Sequence, residues 1–254
     1  MFAAHDIHFD YNGAAILQGV SLQVEPGELV ALAGPNGTGK TTLLRCLLGL
    51  LDPQRGHTEI DGCAGRNLGP KELARIVAWV PQSTRCRFPI QVFDMVLLGR
   101  RPHMGWNPSD SDRQSVQNAL ELLGILDLAF RDFDSLSGGQ SQKVLVARAL
   151  VQDTPYMFLD EPTSSLDLRH QLEVLELFVR ETRDRKRGVL LAIHDLNLAR
   201  RFADRVVLLH DGVVHKHGRS GDVLTPEAVR TVYGVESVLV QVDDEAWIVP
   251  TRTA

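Results

Sequence analysis

Gly34-Pro35-Asn36-Gly37-Thr38-Gly39-Lys40-Thr41 is the stretch on which the fold of this chain turns. It follows the apolar run Leu29-Val30-Ala31-Leu32-Ala33 and precedes Leu43-Leu44-Arg45-Cys46-Leu47-Leu48, so a buried strand runs into a glycine loop and then a helix. That context lets the G-x-x-x-x-G-K-[ST] pattern be read as a phosphate-binding loop. Lacking side chains at Gly34, Gly37 and Gly39, the backbone can curl until successive N–H groups point inward, and the helix N-terminus adds positive potential. Lys40 then reaches the β- and γ-phosphates of a nucleotide, and Thr41 a magnesium ion. By itself the loop specifies only a nucleotide, and kinases, GTPases and ATPases all remain open.

The composition is that of an ordinary globular α/β chain. Its 254 residues suit one large domain or two small ones, with 44% hydrophobic and 23% charged residues. A net charge of −5 and a pI of about 6.0 give no general attraction to nucleic acid, which is not an expected partner. Cys46, Cys63 and Cys86 have neither metal-ligand spacing nor the even count of a disulfide framework, so free thiols are expected. Met1-Phe2-Ala3-Ala4-His5-Asp6 shows no secretory signal, and no window approaches the roughly 18 apolar residues of a membrane span. Any membrane role is expected to run through a partner.

Outward from the loop, residues 3–33 alternate apolar stretches with turns at Tyr11-Asn12-Gly13 and Glu25-Pro26-Gly27 and predict several strands. Leu51-Asp52-Pro53-Gln54-Arg55-Gly56 predicts a break, Thr58 to Gly62 a strand and turn, Lys71 to Arg75 a short helix, and Ile76 to Val80 a buried strand. From Ser83 to Asp153 the pattern is helical. Val116, Ala119, Leu120 and Leu123 form one apolar face of a helix starting near Ser109 to Asp112. Within this part Gly99 to Pro108 predicts a loop with an exposed Trp106, either a plain connector or a docking surface. Strands return at Tyr156 to Asp160 and Val189 to Ile193, flanking a helix with Leu168, Leu172, Leu175 and Val179 on one face. Strands separated by helices imply right-handed crossovers and a doubly wound, mainly parallel sheet. Hairpins are expected about Asp211-Gly212 and Asp243-Asp244-Glu245, and a helix after the cap Thr225-Pro226. The expected organisation is a nucleotide-binding core of residues 1–82 and 154–234 with an N-terminal antiparallel portion, a helical subdomain at 83–153, and a C-terminal β-hairpin at 235–254.

Two further constellations carry chemistry. Asp160-Glu161 ends an apolar strand, and in an open α/β sheet that end faces the ligand crevice. Asp160 suits magnesium held through water, and Glu161 the orientation or deprotonation of an attacking water. Leu136-Ser137-Gly138-Gly139-Gln140 opens a strong helical segment and makes a second anion-binding terminus or a plain N-cap.

The order of the phosphate loop, Gln82, Leu136-Ser137-Gly138-Gly139-Gln140, Asp160-Glu161, Ser165-Leu166-Asp167 and His194 resembles the nucleotide-binding subunit of ABC transporters, from about residue 3 to residue 235. The resemblance implies an ATPase in which two copies pair head to tail, each ATP lying between Gly34 to Thr42 of one copy and Ser137 to Gln140 of the other. It implies that Tyr11 stacks on adenine, that Thr41, Gln82 and Asp160 hold Mg2+, that Glu161, Gln82 and His194 serve catalysis, and that Asp167 supports the dimer. Departures are small: Thr41-Thr42 stands where Ser-Thr is commoner, and Ser141-Gln142-Lys143 follows the signature turn. Val96 to His103 and Leu166 to Leu175 resemble the importer branch that handles ferric siderophores, haem and cobalamin. Two membrane permease subunits, an extracytoplasmic binding protein and a peripheral position on the cytoplasmic face of the membrane are then expected. A soluble ATPase of iron-sulfur assembly shares the motifs; a GTPase is disfavoured because no Asn-Lys-x-Asp segment is present.

Overall fold

A computed structural model describes residues 1–84, 88–243 and 245–254; Cys86, one of the three cysteines, lies outside them. The described residues form two compact units, Met1–Leu68 with Val179–Ala254, and Gly69–Phe178.

In the first unit β1 (Phe2–Tyr11) pairs antiparallel with β2 (Ala14–Val24) and with β4 (Arg55–Ile60), which continues to the short β5 (Cys63–Ala64). The turn residues dictate these hairpins. Asn12-Gly13, Asp61-Gly62 and Asp211-Gly212 all carry two successive positive φ values, which matches the right-handed twist of the flanking strands. The expected break at Leu51 to Gly56 is shorter than anticipated, because β4 already begins at Arg55. Gly56 allows this: a Cβ there would lie 2.4 Å from the His5 carbonyl oxygen, so only glycine lets the strands meet. A second layer is parallel. The fully buried β3 (Leu29–Ala33) lies between β8 (Gly188–Ala192) and β9 (Arg205–His210), with β10 (Val213–Arg219) antiparallel to β9. α1 (Lys40–Leu47) follows β3, and α7 (Leu196–Phe202) follows β8, capped by Asp195 accepting from the Asn197 and Leu198 amides. α8 (Ser220–Val223), α9 (Pro226–Tyr233) and the pair β11 (Val235–Val242) and β12 (Glu245–Thr253) complete the unit. α9 is capped by Thr225.

The second unit joins β6 (Val77–Val80) to β7 (Tyr156–Asp160) in parallel. α2 (Pro70–Ile76) precedes β6, and the crossover carries α3 (Val92–Leu97), α4 (Asp110–Leu122) and α5 (Gly138–Val151). α4 buries Val116, Ala119, Leu120 and Leu123 as its periodicity predicts. α6 (Leu168–Asp184) does not follow prediction so closely. Its buried residues include Val174, Leu175, Leu177 and Phe178, whereas Leu168 is 70% exposed. Leu168 stands in the first turn and stays exposed although it shares a face with Leu175.

The loop after α3 is fixed at its base and free at its tip. A Cβ on Gly99 would lie 2.1 Å from the Arg148 carbonyl oxygen, so α5 is met there by bare backbone. Arg100 Nε donates to Asp112 at 2.9 Å and its Nη1 to the Val151 carbonyl, and Arg75 donates to the Pro102 carbonyl. Ser109 caps α4 in a reciprocal box with Asp112. The hydroxyl of Ser109, then Arg100, holds the Asp112 carboxyl down to about 2. Trp106 is 99% exposed.

Candidate nucleotide-binding site

In the first unit the glycine loop is shaped by what lies against it. Gly34 has φ 148° and a Cβ there would lie 2.4 Å from the Leu209 carbonyl oxygen; Gly39 has φ 97° and its Cβ would lie 2.7 Å from Leu17 Cδ2. Gly37 meets nothing within 4 Å but has φ 84°, so backbone conformation alone calls for glycine. Asn36 and Gly37 form the exposed crown, beside a half-buried Pro35. Thr38 Oγ1 donates to the Pro35 carbonyl at 2.9 Å, closing the turn from inside. Lys40 is 5% exposed, and its Nζ donates to the carbonyls of Gly34 at 2.7 Å and Pro35 at 2.8 Å.

The helix that follows is open at its start. Gly39, its N-cap, is left-handed and supplies no side-chain acceptor, and the first turn carries no acid. As the cap, Gly39 offers this helix start no side-chain oxygen, and a helix N-terminus suits an anion. Thr41 and Thr42, half-buried, put two hydroxyls on this turn. One feature of the loop is not legible in the sequence: Tyr233 of α9 has its hydroxyl buried beside the Gly34 amide, and burial pushes this phenol up to about 12. Tyr11, 44% exposed, closes β1 with its ring edge-on to Phe9 at 4.8 Å. His194 is exposed two residues after β8 and just before the Asp195 cap.

In the second unit β7 delivers the acidic pair. Asp160, only 2% exposed, is its last residue. Glu161 has φ 51°, a left-handed conformation that few residues without glycine's freedom adopt. The Ser164 amide and hydroxyl both donate to its carbonyl and hold the turn. Strain of this kind concentrates at functional positions, and here it aims a carboxylate that accepts from Gln82 Nε2 at 2.8 Å. Gln82 and Glu161, separated by 79 positions, are thus one constellation.

The same unit places Ser137, Gly138, Gly139 and Gln140 at the start of α5. Ser137 is the N-cap, accepting from the Gln140 amide while the Gln140 side chain accepts from the Ser137 amide. Ser165 Oγ donates to the Gly138 carbonyl at 3.2 Å, and a Cβ on Gly139 would lie 3.3 Å from the Ser165 carbonyl oxygen. A cleft of about 590 Å³ opens here, lined among others by Ser137, Gly139, Gln140, Lys143, Asp167 and His170. Asp167 accepts from the His170 amide at 2.9 Å and its imidazole at 2.8 Å. These bonds, the amide first, hold the Asp167 carboxyl below the usual range. Lys143 gives the cleft a cationic side.

Comparison with known proteins agrees with this inventory. The family model for the ABC transporter matches residues 17–164. An ABC transporter ATP-binding protein of Methanocaldococcus jannaschii is 41% identical over 96% of this chain and 95% of its own length. The hemin import ATP-binding protein of Bordetella avium is 42% identical over 92% of both chains. The cobalamin import ATP-binding protein of Halobacterium salinarum is 42% identical over 87% of this chain, which spans 56% of that longer relative. Among solved structures, a metal-chelate type ABC transporter in an inward-facing conformation superposes with a TM-score of 0.84 at 30% identity, covering 98% of this chain and 97% of that one. A dimeric ATP-binding cassette in a post-hydrolysis state bound to ADP and Pi gives 0.78 at 25% identity, covering 87% and 99%. This chain therefore belongs to the ATP-binding cassette family of ABC transporters and has its ATPase fold.

Proposed function

We propose that this chain is the ATP-hydrolysing subunit of a membrane importer for a metal chelate: a ferric siderophore, haem or cobalamin. The observation that carries the hydrolytic part is the pairing of Gln82 with the strained Glu161. The cargo class is supported by the relatives' names, hemin and cobalamin import, and by the metal-chelate transporter among the structures. Among the described residues no helix is long and apolar enough to cross a membrane, and a peripheral place on permease subunits follows from the proposal.

In this reading the α1 N-terminus, with the amides of Gly34 to Thr42, binds the phosphates, and Lys40 exchanges its two carbonyl partners for phosphate oxygens. Tyr11 stacks on adenine. Thr41, Gln82 and Asp160 are the residues that would hold Mg2+, and a buried carboxylate, an amide oxygen and a hydroxyl are the hard oxygen ligands it takes. Bound there, Mg2+ neutralises charge developing on the transferred phosphate oxygens. Glu161 takes the proton of the attacking water, Gln82 orients that carboxylate, and His194 donates toward the γ-phosphate. Ser137 to Gln140 of a second copy completes each site across a head-to-tail dimer, with Asp167 at the dimer contact. The exposed Trp106, on its anchored loop, is the surface offered to the permease.

The test is reconstitution in lipid vesicles with a candidate polytopic permease. ATP turnover stimulated by a loaded binding protein, with accumulation of the chelate, is expected. Turnover that ignores the permease, with no co-purification, would instead favour a soluble ATPase. Trp106→Ala should leave basal hydrolysis unchanged and lower transport several-fold; full transport by that variant argues against the docking loop.

A further inference from the structure

The antiparallel sheet of the first unit carries a cluster with no part in the nucleotide chemistry. His5 and His57 are directly paired across β1 and β4, and Glu59 lies two residues along β4, on the same face. The two imidazoles stack with centroids 5.0 Å apart and planes 28° from parallel. Glu59 Oε2 lies 3.8 Å from His5 Nε2, too far for a hydrogen bond. One ligand atom from each of the three residues lies within 4.8 Å of the others. The His5 Nε2 is shielded from water and has no hydrogen-bond partner. A buried ring nitrogen left in that condition is costly, and a carboxylate nearby without a bond to it leaves the cost standing. Just beyond the His5–His57 pair the register shifts between His5 and His8, where Gly56 sits against the backbone of His5 and Asp6. Asp6, next in the chain, is engaged elsewhere, by His8 at 3.1 Å and Arg55 at 3.9 Å.

We propose that His5, His57 and Glu59 form a binding site for a divalent transition-metal ion of the zinc(II) class, with water in the remaining position. Two imidazoles and one carboxylate are the donor set that such ions take, and they discriminate against magnesium and calcium, which prefer oxygen alone. Donors around a tetrahedral ion at 2.0–2.1 Å stand about 3.4 Å apart, so side-chain rotations of about 1–1.5 Å close this cluster on an ion. The strands need not move. A bound ion would tie β1 to β4 and give His5 Nε2 its missing partner.

The experiment is calorimetric titration of the full chain, free of nucleotide, with Zn2+, alongside thermal unfolding. One saturable ion per chain at this site is expected, with an unfolding midpoint raised by about 5 °C at saturation and restored by chelator. His57→Ala should weaken Zn2+ binding at least 10-fold and remove the midpoint shift, and Glu59→Gln about 10-fold; Mg2+ should produce neither signal. His57 is exposed, so the fold should survive, and the isosteric Glu59→Gln carries the test if it does not. His215→Ala, on the exposed β10, should change nothing. Zn2+ binding that is absent, unchanged in both His57→Ala and Glu59→Gln, or lost in His215→Ala overturns the proposal.

Discussion

Two helices of this protein begin at glycine-rich turns, and they begin differently. α1 starts from a left-handed glycine with no side-chain cap and no acid in its first turn. α5 starts from Ser137, whose hydroxyl and the Gln140 amide side chain close a reciprocal box. The first terminus receives no side-chain oxygen from its cap. The second carries its own cap, whose hydroxyl takes the Gln140 amide. α4 sharpens the contrast, because Ser109 and Asp112 form the same box with an ionised member that Arg100 also holds. A self-satisfied turn is thus an ordinary helix start, and what sets α5 apart is the open, cationic cleft beside it.

The contrast assigns hydrolysis to neither helix end, so the largest effect should come from Glu161. Glu161→Gln is expected to lower ATP turnover about 10²-fold or more, the scale of a general base, with ATP affinity retained in equilibrium binding. Turnover near the normal level in that variant would show that another group takes the proton. Next in size is the open terminus. Lys40→Ala removes charged hydrogen bonds worth about 1.5–3 kcal/mol each and should weaken ATP binding by about 10- to 100-fold, read by fluorescent-nucleotide displacement. The closed terminus should respond in a different currency. Ser137→Ala should lower unfolding free energy by about 1 kcal/mol in urea titration and leave the single chain's ATP affinity within about twofold. An affinity loss matching Lys40→Ala would mean that α5 serves its own chain's nucleotide.

The smallest effect separates the two capping boxes by pH. The Asp112 carboxyl is lowered in the folded chain from an ordinary 3.8 to about 2, so its contribution is fully present above about pH 4. It is lost as pH falls from about 4 toward 2, because the unfolded chain then binds the proton that the folded one refuses. Acid titration followed by circular dichroism should show this slope, and Asp112→Asn should flatten it. The box of Ser137 with neutral Gln140 has no matching titration.

Much of the architecture was legible because single residue types dictate it. Asn-Gly and Asp-Gly pairs fixed hairpins through positive φ, Pro226 after Thr225 fixed the start of α9, and wholly apolar runs marked β3, β7 and β8. The phosphate loop was legible because glycine is required at Gly34 and Gly39 by carbonyl and side-chain contacts as well as by φ. What escaped prediction depends on distant partners. The early start of β4 rests on Gly56 meeting the backbone of β1, and the Tyr233 hydroxyl behind Gly34 joins residues 199 positions apart. The left-handed Glu161 has no local signature, because its strain is sustained by the turn around it. Period aligned Leu168 with Leu175 on one face of α6, but it could not tell that the first turn leaves Leu168 exposed.

The central claim is that the open terminus of one copy and the closed terminus of another share a nucleotide. Sedimentation of Glu161→Gln with and without ATP tests it most directly, since that variant binds ATP without consuming it. ATP should convert the chain from single copies to dimers, and adding Ser137→Ala should weaken that dimer at least 10-fold with ATP binding to the single chain unchanged. Dimers that form equally well with Ser137→Ala, or that form without ATP and ignore it, would contradict the account.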